Sequence, residues 1–540
     1  MTVFQSKLLP QSEAFAKNHA EMSALVEKLR ELNARAPAIS ARRRERFEAR
    51  GQLLPRERLS RLLDPGMPYL EIGNLAGYLL DTDDEAKSIP GSTIMAGIGF
   101  INGARCVVVT DDSGIKAGAM TKAGGYRLRR AQQIALEQKL PFVHLVESAG
   151  GDLMNYTVEG FLEGGSLFAN LARLSKAGLP VISVLHGSST AGGAYMPGLS
   201  DYVVAVKGGG KAFLAGPPLL LAATGEVATE EELGGAQMHA TISGLAEYLA
   251  ENDSDAIVIA REVIERLQWN RRCPTTANAI WREPVYDADE ILGFVPVDYK
   301  KPYDVREVIA RIVDGSDFTD FKPLYGVSTV CVQASVFGFP CGIIGNNGPI
   351  DPDGATKAAQ FIQLCDQADL PLVFLQNTTG YLVGKQYEQG GMIKHGSKMI
   401  QAVTNASVPR ITFMIGASYG AGNYGMCGRG YDPDFCFTWP NASAGVMGGE
   451  QAARVMSIVS EGAAAKAGKD IDKAQQEMQE KMLAHMFNRQ SSAFYTSGHL
   501  MDDGMIDPRE TRNTLGFVLA TVSEAQRRTV TPNSFGVARM

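Results

Sequence analysis

Two glycine-rich turns carry the backbone groups of this chain that are best suited to chemistry. They span residues 187–195, with the sequence GSSTAGGAY, and residues 416–424, with the sequence GASYGAGNY. Each follows a predicted strand and precedes a predicted helix, where glycine lets the backbone approach a ligand and the positive helix start attracts negative charge. N–H groups in such a turn can stabilise an oxyanion. The candidate donors are those of Gly192, Gly193, Ala421 and Gly422.

The two turns belong to an internal repeat. Two strand starts and the turn itself recur at offsets of 230, 229 and 229 residues, in the pairs Pro141 with Pro371, Pro180 with Pro409, and Gly187 with Gly416. Such constancy indicates two copies of one domain. Tight packing of a helix on a strand would explain one glycine pair equally well. Because the turns occur at matched positions in both copies, a functional role is favoured over packing. That role would be to hold two carbonyl oxygens in one reaction.

The segments around the turns predict the same order of elements in each copy: strand pair, helix, strand, helix, strand. The strand pairs are expected to turn at Asn102-Gly103 and near Phe337-Gly338. This order predicts an α/β domain with a parallel sheet. The predicted helices, each placed after a Thr-Lys pair, cover residues 126–139 and 358–369.

Composition and charge indicate a soluble protein of two domains. The 540 residues are too many for one core, and 45% are hydrophobic and 21% charged. A formal net charge of −7 argues against a nucleic-acid-binding protein. Seven scattered cysteines indicate free thiols in a reducing compartment. The sequence has neither CxxC nor HExxH spacing, so it predicts no metal site. Without a secretory signal or an apolar run of membrane-spanning length, we expect a cytoplasmic protein.

An aperiodic stretch at residues 270–300 separates the two copies, which gives domains of residues 1–285 and 286–540. The first domain begins with a helical segment, residues 12–63, that contains an Arg-rich part at residues 41–50. These arginines could meet a phosphate or an acidic partner. Their mixture with glutamates is more typical of a solvated helix face.

No side chain near the turns forms a convincing nucleophile or general base. Ser188 and Ser189 adjoin the first turn, but no histidine–carboxylate pair at readable spacing supports either one. His186 is typical of a core residue. Glu147 and Asp152 flank a strand end, where ligands gather in parallel sheets. Each is a candidate base, or else a residue that solvates a loop.

Several long motifs resemble the carboxyltransferase (β) subunit of the biotin-dependent acyl-CoA carboxylases. They are TAGGAY at 190–195, GPP at 216–218, ATGE at 223–226, LGG at 233–235 and GASYGAGNYG at 416–425. The resemblance extends over nearly the whole chain, from residues 56–66 to residues 502–511. It implies an α/β fold that is a tandem duplication of a crotonase-like (ClpP/crotonase) domain. The first domain would hold the acyl-CoA and the second would hold carboxybiotin.

The mechanism of that family needs two oxyanion sites and no side-chain base. Carboxybiotin releases CO₂, its ureido nitrogen removes a proton from the acyl-CoA, and the enolate attacks CO₂. The resemblance implies that Gly192-Gly193 hold the thioester enolate and that Ala421-Gly422 hold the ureido oxygen of biotin. Further implied substrate-binding residues are Gly150, Gly151, Gly164, Ala191 and Gly216, and the implied biotin-binding residues are Gly420, Asn423, Val446 and Gly448. No metal is expected in this chain.

The resemblance also implies partners. The chain contains neither a biotinylation sequence nor an ATP-binding phosphate loop, so a separate α subunit with biotin carboxylase and biotin carrier must supply carboxybiotin. A homohexamer is expected, with active sites between the first domain of one chain and the second domain of another. Candidate ligands for the phosphates of coenzyme A are Lys122, Lys357 and the arginine cluster at residues 42–46.

The substrate is indicated by two segments. Residues 380–395 resemble the methylcrotonyl- and geranyl-CoA branch of the family more than the propionyl-CoA branch. At Gly164 the chain departs from the methylcrotonyl pattern, which has an aromatic side chain there. The missing ring predicts room for a longer, geranyl-like acyl chain. The alternative is 3-methylcrotonyl-CoA, with the loop repacked by Phe161 or Leu162.

Other functions remain open at this point. A hydratase or isomerase of the same fold would need two well-placed carboxylates in each site. The carboxyltransferase subunit of a biotin-dependent decarboxylase would run the half-reaction backward. A carboxylase acting on propionyl-CoA or another acyl-CoA, and an inactive scaffold subunit, are the remaining alternatives.

Overall fold

A computed structural model describes residues 3–274, 280–467 and 472–538, and in it each copy of the repeat builds a sheet of its own. The chain divides into two units. The first unit comprises Arg30–Thr276, Gly498–Leu500 and Thr521–Met540. The second unit comprises Met1–Leu29, Ala277–Ser497 and Met501–Ala520.

The described part of the first unit contains an eight-stranded sheet in the order β1-β2-β3-β4-β5-β6-β8, with β7 beside β5. Its first three strands pair antiparallel, and the pairs from β3 to β8 are parallel. The strands are β1 (Leu70–Glu71), β2 (Ile94–Ile101), β3 (Ala104–Asp111), β4 (Phe142–Ser148), β5 (Val181–Thr190), β6 (Tyr202–Val206), β7 (Lys211–Phe213) and β8 (Tyr248–Ala250).

The described part of the second unit repeats this plan with seven strands in the order β14-β13-β12-β11-β10-β9, with β15 beside β13. Again the first three strands pair antiparallel and the later pairs are parallel. The strands are β9 (Thr319–Asp320), β10 (Thr329–Val336), β11 (Phe339–Asn346), β12 (Leu372–Thr378), β13 (Arg410–Tyr419), β14 (Phe435–Thr438) and β15 (Ser443–Gly445). The predicted duplicated α/β order is confirmed.

The repeat extends to a local irregularity. The pairing of β4 with β5 slips between Val146 and Ser148, and the pairing of β12 with β13 slips between Gln376 and Thr378. The central strands are buried almost throughout, as expected for parallel strands covered on both faces. In each sheet the slip comes just before the end of the first of the two strands, β4 or β12.

Helices cover the sheets and form the chain ends. Residues 12–63, predicted as helical, form three helices with Met22, Val26, Leu29 and Leu32 buried. The α-helices are Glu13–Ala41, Arg44–Glu48, Pro55–Leu62, Lys122–Glu137, Val158–Gly164, Ser166–Lys176, Tyr195–Gly198, Pro217–Thr224, Glu230–Gly234, Ala236–Met238, Asp253–Leu267, Glu290–Phe294, Val305–Ile312, Pro352–Gln367, Lys385–Gln389, Met392–Asn405, Gly420–Gly425, Gly449–Lys466, Lys473–Ser491, Ala493–Gly498 and Thr511–Arg527.

The starts of two of these helices differ from the prediction. The helix predicted at 126–139 is Lys122–Glu137, capped by Thr121, and the helix predicted at 358–369 is Pro352–Gln367, capped by Asp351. The second Thr-Lys pair therefore lies inside its helix, and the match between the two pairs was wrong. The physical reason is that aspartate followed by proline is a strong helix start.

An aspartate and an arginine, both distant in sequence, hold the hairpin turn of the first unit. Asn102 and Gly103 are both left-handed, with φ of +46° and +73°. Asp64 accepts hydrogen bonds from their N–H groups at 2.9 and 2.7 Å, and Arg261 donates to Asp64 at 2.8 Å. The carboxylate therefore satisfies two backbone donors that no neighbouring strand can reach.

The second unit has the same clamp. Asp314 accepts hydrogen bonds from the N–H groups of Phe337 and Gly338 at 2.9 and 2.7 Å, and Arg512 donates to Asp314 at 2.8 Å. The two aspartates are 250 residues apart, an offset different from that of the turns. The duplication therefore includes the segment before each sheet.

We predict that Asp64→Asn lowers the free energy of unfolding by about 1.5–3 kcal/mol, because one acceptor of a charged hydrogen-bond network becomes an amide donor. Burial raises the pKa of Asp64, but hydrogen bonds from Gly103 and Arg261 outweigh burial and lower it overall. Its stabilisation is therefore present above about pH 4 and is lost as the pH falls through the lowered pKa.

Urea unfolding of wild type and variant at pH 7 and at lower pH would test this. The control is Glu262→Gln, which loses only an exposed ion pair with Arg266 and should change the free energy by less than about 0.5 kcal/mol. Equal stability of the two variants at pH 7 would contradict the prediction.

Candidate active site

The longest described strand of each sheet ends inside its glycine-rich segment, whose first four residues belong to the strand. Strand β5 ends at Thr190 and is followed by a 3₁₀ turn, Ala191–Ala194. Strand β13 ends at Tyr419 and is followed by the helix Gly420–Gly425. Ligands of parallel α/β sheets bind at the carboxyl ends of the strands. Both turns therefore lie at the binding edge of their sheets.

A left-handed residue changes the direction of the chain in each turn. Ala191 has φ of +53° and Gly420 has φ of +56°, and the two residues are 229 positions apart. Glycine adopts this conformation freely, whereas alanine is strained in it. The first turn therefore keeps the left-handed geometry although alanine occupies this position.

The change of direction leaves backbone donors at the start of each helical segment. No side chain caps Ala191–Ala194 or Gly420–Gly425, and the first N–H groups of a helix have no partner within it. Gly192 and Ala421 are exposed, Gly193 is half-buried and Gly422 is buried. All four predicted donor positions therefore lie at uncapped helix starts.

A second loop, which follows β4 or β12, packs against each turn. Gly150, with φ of +86°, accepts a hydrogen bond at 2.8 Å from the N–H of Met120. Gly380, with φ of +121°, accepts one at 2.9 Å from the N–H of Ile350. In both units this bridge fixes a loop beside the uncapped donors.

The packing of these loops explains two of the glycines. A Cβ atom at Gly150 would lie 3.2 Å from the carbonyl oxygen of Thr190, and one at Gly422 would lie 2.8 Å from the Cα atom of Gly380. Gly422 is therefore required by packing inside its own unit. Gly192 is different, because a Cβ atom there meets only the tip of the Phe168 ring at 3.4 Å.

The predicted substrate-binding residues lie at several positions around the first turn. Gly151 follows Gly150 and is exposed, with no atom within 4 Å of a built Cβ. Gly216 precedes the helix Pro217–Thr224, and the strand before it, β7, pairs with the end of β5. Pro217 is the first residue of that helix, a position that proline favours.

Gly164 precedes an aromatic pair in the chain. It ends the helix Val158–Gly164, and a Cβ atom there would meet nothing within 4 Å. Phe168, in the next helix, packs edge-on against Tyr195 with ring centroids 5.6 Å apart. The tip of the Phe168 ring also lies 3.4 Å from a Cβ atom built at Gly192, so the aromatic pair lies beside the first turn.

The predicted biotin-binding residues gather around the second turn. A Cβ atom at Gly420 would lie 3.3 Å from the carbonyl oxygen of Val446, whose side chain is 73% exposed. A Cβ atom at Gly448 would lie 2.6 Å from the hydroxyl of Tyr299. The Asn423 side chain instead donates to Ser418 at 2.7 Å inside the unit. The Asn423 side chain is therefore engaged within its own unit.

The ionisable residues near the first turn belong to a buried network. Glu147 pairs with Arg58, which also donates to Asp253 at 2.9 Å. His186 bonds to the same aspartate at 2.8 Å and is fully buried, as predicted for a core residue. Burial, and then the charge of Arg58, lower the pKa of His186. A histidine kept neutral and a carboxylate held by arginine are structural parts of the unit.

Asp152 lies in the loop that follows β4. Its carboxylate accepts a hydrogen bond from Asn155 at 2.8 Å and pairs with Lys116 at 3.5 Å. The Asn155 hydrogen bond is the largest influence that lowers the pKa of Asp152.

The described residues contain neither a candidate metal cluster nor a candidate membrane span. Within residues 3–274, 280–467 and 472–538, no cluster of three or more His, Cys, Asp or Glu side chains could hold a metal ion. No helix in the same ranges has the length and apolar character needed to cross a membrane.

The chain is thus a tandem α/β protein in which the longest described strand of each sheet leads into an uncapped turn. The family model described as "Carboxyl transferase domain" matches residues 46–537. A probable biotin-dependent acyl-coenzyme A carboxylase beta2 subunit of Mycobacterium tuberculosis is 47% identical and covers 100% of both chains. The biotin-dependent 3-methylcrotonyl-coenzyme A carboxylase beta1 subunit of the same organism is 42% identical, with 98% of each chain covered.

A solved structure is also similar over its full length. The beta subunit of geranyl-CoA carboxylase from P. aeruginosa is 53% identical, with a TM-score of 0.93 and 100% of both chains covered. The chain belongs to the carboxyl transferase family. It is a carboxyltransferase with the predicted tandem crotonase-like fold.

We predict opposite effects of glycine–alanine exchange at the two left-handed positions. Gly420→Ala should destabilise the protein by about 1–2 kcal/mol, since alanine resists a positive φ. Ala191→Gly should leave stability unchanged or raise it by up to about 1 kcal/mol, because the strain is relieved.

Thermal unfolding of both variants checks this prediction. The control, Gly462→Ala, lies in a helix with ordinary φ and open space around its Cβ, and should stabilise by about 0.5–1 kcal/mol. A Gly420→Ala variant as stable as Gly462→Ala would show that the left-handed backbone is not required.

Proposed function

We propose that this carboxyltransferase moves CO₂ from carboxybiotin, carried by a separate α subunit, to a branched unsaturated acyl-CoA. The duplicated, uncapped turns carry the proposal, because each offers backbone donors at the carboxyl end of a central strand. A reaction with one thioester oxygen and one ureido oxygen needs two such sites.

In this proposal the first turn binds the thioester. The N–H groups of Gly192 and Gly193 donate to the thioester oxygen and stabilise the negative charge that develops there when the α- or γ-carbon loses a proton. A donor that meets such an oxyanion contributes about 2.7–4 kcal/mol to transition-state binding. Glu147 is paired with Arg58 and His186 is bonded to Asp253, which leaves neither of them suited to be the base.

The second turn is assigned to biotin. When bound, carboxybiotin supplies CO₂ and a basic ureido nitrogen. The residues present suit a flat neutral amide: uncapped N–H groups of Ala421 and Gly422, and the exposed Val446 beside Gly420. These backbone donors would orient the ureido oxygen, and the apolar side chain would exclude water from one face.

The proposed acyl group is geranyl-like. A Cβ atom at Gly164 would meet nothing within 4 Å, and Phe161 and Leu162 are 68% and 71% exposed and so do not fill that space. This observation favours a long chain over the repacked loop. The family relatives whose names mention 3-methylcrotonyl-CoA and geranyl-CoA support an unsaturated, branched substrate.

Domains, assembly and location are part of the proposal. Residues 1–285 are assigned to acyl-CoA and residues 286–540 to carboxybiotin. The biotin carboxylase and biotin carrier are assigned to an α subunit. We also propose a homohexamer in the cytoplasm, with each site formed by the first domain of one chain and the second domain of another. Mass photometry of the purified protein would test the hexamer, and a monomer would exclude shared sites.

A carboxylation assay tests the function. The purified chain, a biotinylated α partner, ATP and bicarbonate are incubated with geranyl-, 3-methylcrotonyl-, propionyl- and acetyl-CoA. Turnover of geranyl-CoA above 3-methylcrotonyl-CoA is expected. If an α partner that carboxylates free biotin supports no turnover of any acyl-CoA, the carboxylase proposal fails and the decarboxylase or scaffold alternative gains support.

We predict that Gly192→Ala lowers kcat/KM for the acyl-CoA by about a hundredfold, because a methyl group is added beside the exposed donor. Folding should be unaffected, since the new Cβ meets only Phe168 at an ordinary contact distance. Steady-state kinetics and thermal unfolding separate the two effects.

Gly198→Ala is the matched control, because its Cβ has no neighbour within 4 Å and it lies in the helix that follows the same turn. Its kinetics should match wild type. Wild-type kcat/KM in Gly192→Ala would exclude the first turn as the thioester site.

We further predict that Gly164→Phe selects against the long acyl chain. The ring would fill the open space at Gly164, so kcat/KM for geranyl-CoA should fall by about a hundredfold and that for 3-methylcrotonyl-CoA by much less. Glu163→Phe, which adds the same ring one position away on the helix, should change the ratio of the two substrates little. An unchanged ratio in Gly164→Phe would favour a pocket located elsewhere.

A further inference from the structure

A cavity in the first unit lies between the Arg-rich segment and the turn that follows β6. Its volume is about 870 Å³. Arg43, Arg46 and Arg50 line one wall, and Lys207 and Lys211 line another. Five cations around one cavity predict an anionic ligand, unless carboxylates neutralise them all.

The two lysines are neutralised within the wall. Lys207 pairs with Glu251 at 3.3 Å, and Lys211 pairs with Glu230 at 2.7 Å. Both glutamates also line the cavity. These four side chains therefore add no net charge.

The remaining carboxylates of the wall are only partly neutralised. Glu147 and Asp253 share one cation, Arg58, which is 1% exposed, so one negative charge is left over. By contrast, no ion pair involves Arg43, Arg46 or Arg50 in the part of the chain that the structure describes. These three exposed guanidinium groups outweigh the remaining carboxylate charge, and the cavity carries a net positive charge.

Between the two lysines the wall is a run of three glycines. Residues 207–211 read Lys-Gly-Gly-Gly-Lys, and Gly208 has φ of +69° with no atom within 4 Å of a built Cβ. Because glycine has no side chain, the backbone itself forms this part of the wall. A bulky anion could therefore approach the backbone between the two lysines.

The second unit provides an internal comparison. Its corresponding turn, between β14 and β15, reads Trp-Pro-Asn-Ala at residues 439–442 and contains no cation. At the 250-residue offset of the two clamps, the arginine positions become Gly293, Pro296 and Lys300, and Lys300 lies 3.9 Å from Glu450. At these matched positions, therefore, only the first unit has arginines.

The cavity lies close to the donors of the first turn. Ser188 lines the cavity and pairs with Lys211, and Gly192 lies four residues further along the chain. Four residues span at most about 13 Å, so Gly192 lies no further than that from Ser188. The pantetheine arm, which joins the thioester of coenzyme A to its phosphates, is long enough to bridge such a distance.

We infer that Arg43, Arg46 and Arg50 bind the phosphates of the coenzyme A nucleotide. The inference rests on the proposed function for the thioester at Gly192. Guanidinium groups suit phosphate because they present paired donors and keep their charge. Of the candidates named from the sequence, the arginine cluster is thus favoured, with Arg50 added.

The test uses the triple variant Arg43→Gln, Arg46→Gln, Arg50→Gln in the full chain. Calorimetry with adenosine 3′,5′-bisphosphate measures the nucleotide site without any turnover. Wild type should bind, and the variant should bind at least about tenfold more weakly. With the α partner present, KM for the acyl-CoA should rise about tenfold or more, with a smaller change in kcat.

The control is Arg266→Gln, which removes an exposed arginine outside the cavity. It should bind and turn over as wild type does. A truncated substrate, the acyl-pantetheine thioester, adds a second comparison: the preference of wild type for acyl-CoA over acyl-pantetheine should shrink in the triple variant.

The outcomes are distinguishable. One outcome is that the triple variant and Arg266→Gln bind the bisphosphate equally well and have the same KM for the acyl-CoA. This outcome excludes the arginine site, while the carboxyltransferase proposal stands. If wild type turns over no acyl-CoA but binds the bisphosphate through these arginines, the proposed function fails and the anion site stands. No binding by wild type overturns the inference.

Discussion

The left-handed residue at the end of the central strand is the constraint on which the rest of each unit depends. At Ala191 and at Gly420 it turns the chain sharply from strand into helix, so that the first helical N–H groups are left without a side-chain cap. The bridges from Met120 to Gly150 and from Ile350 to Gly380 fix the neighbouring loop. Rigid backbone donors need no reorganisation when charge develops on a substrate, which is how oxyanion sites accelerate reactions.

Duplication preserved this backbone and let the side chains around it diverge. The first unit has an aromatic pair and open space at Gly164, together with a cavity rich in arginine. The second has the exposed Val446, and Asn423 is committed to a hydrogen bond inside the unit. One backbone device thus serves two different ligands in our account, and the side chains determine which ligand each unit holds.

Much of this organisation could be predicted from the sequence because its signals are local or periodic. Constant offsets revealed the repeat, and Asn102-Gly103 identified a hairpin. The donor turns followed from glycine pairs between a strand and a helix. The family resemblance then supplied roles that composition and spacing could not.

The rest depended on contacts between distant residues. The Asp64–Arg261 clamp joins positions almost 200 residues apart, and the buried network of Arg58 joins three segments. No spacing pattern marks such pairs. The start of the helix Pro352–Gln367 was missed because a repeated Thr-Lys pair was preferred to the stronger Asp-Pro signal. The arginines of residues 41–50 resembled a solvated face until the fold brought the glycine run opposite them.

The most direct test of the account is the infrared stretching frequency of a ¹³C-labelled thioester carbonyl in acyl-CoA bound to the protein. Strong donation by the backbone of Gly192 and Gly193 predicts a lower frequency than that of the same thioester in water, and a smaller shift in Gly192→Ala. A bound thioester whose carbonyl frequency equals that of the free compound would contradict the account, because the first turn would then not hold the oxygen on which the reaction depends.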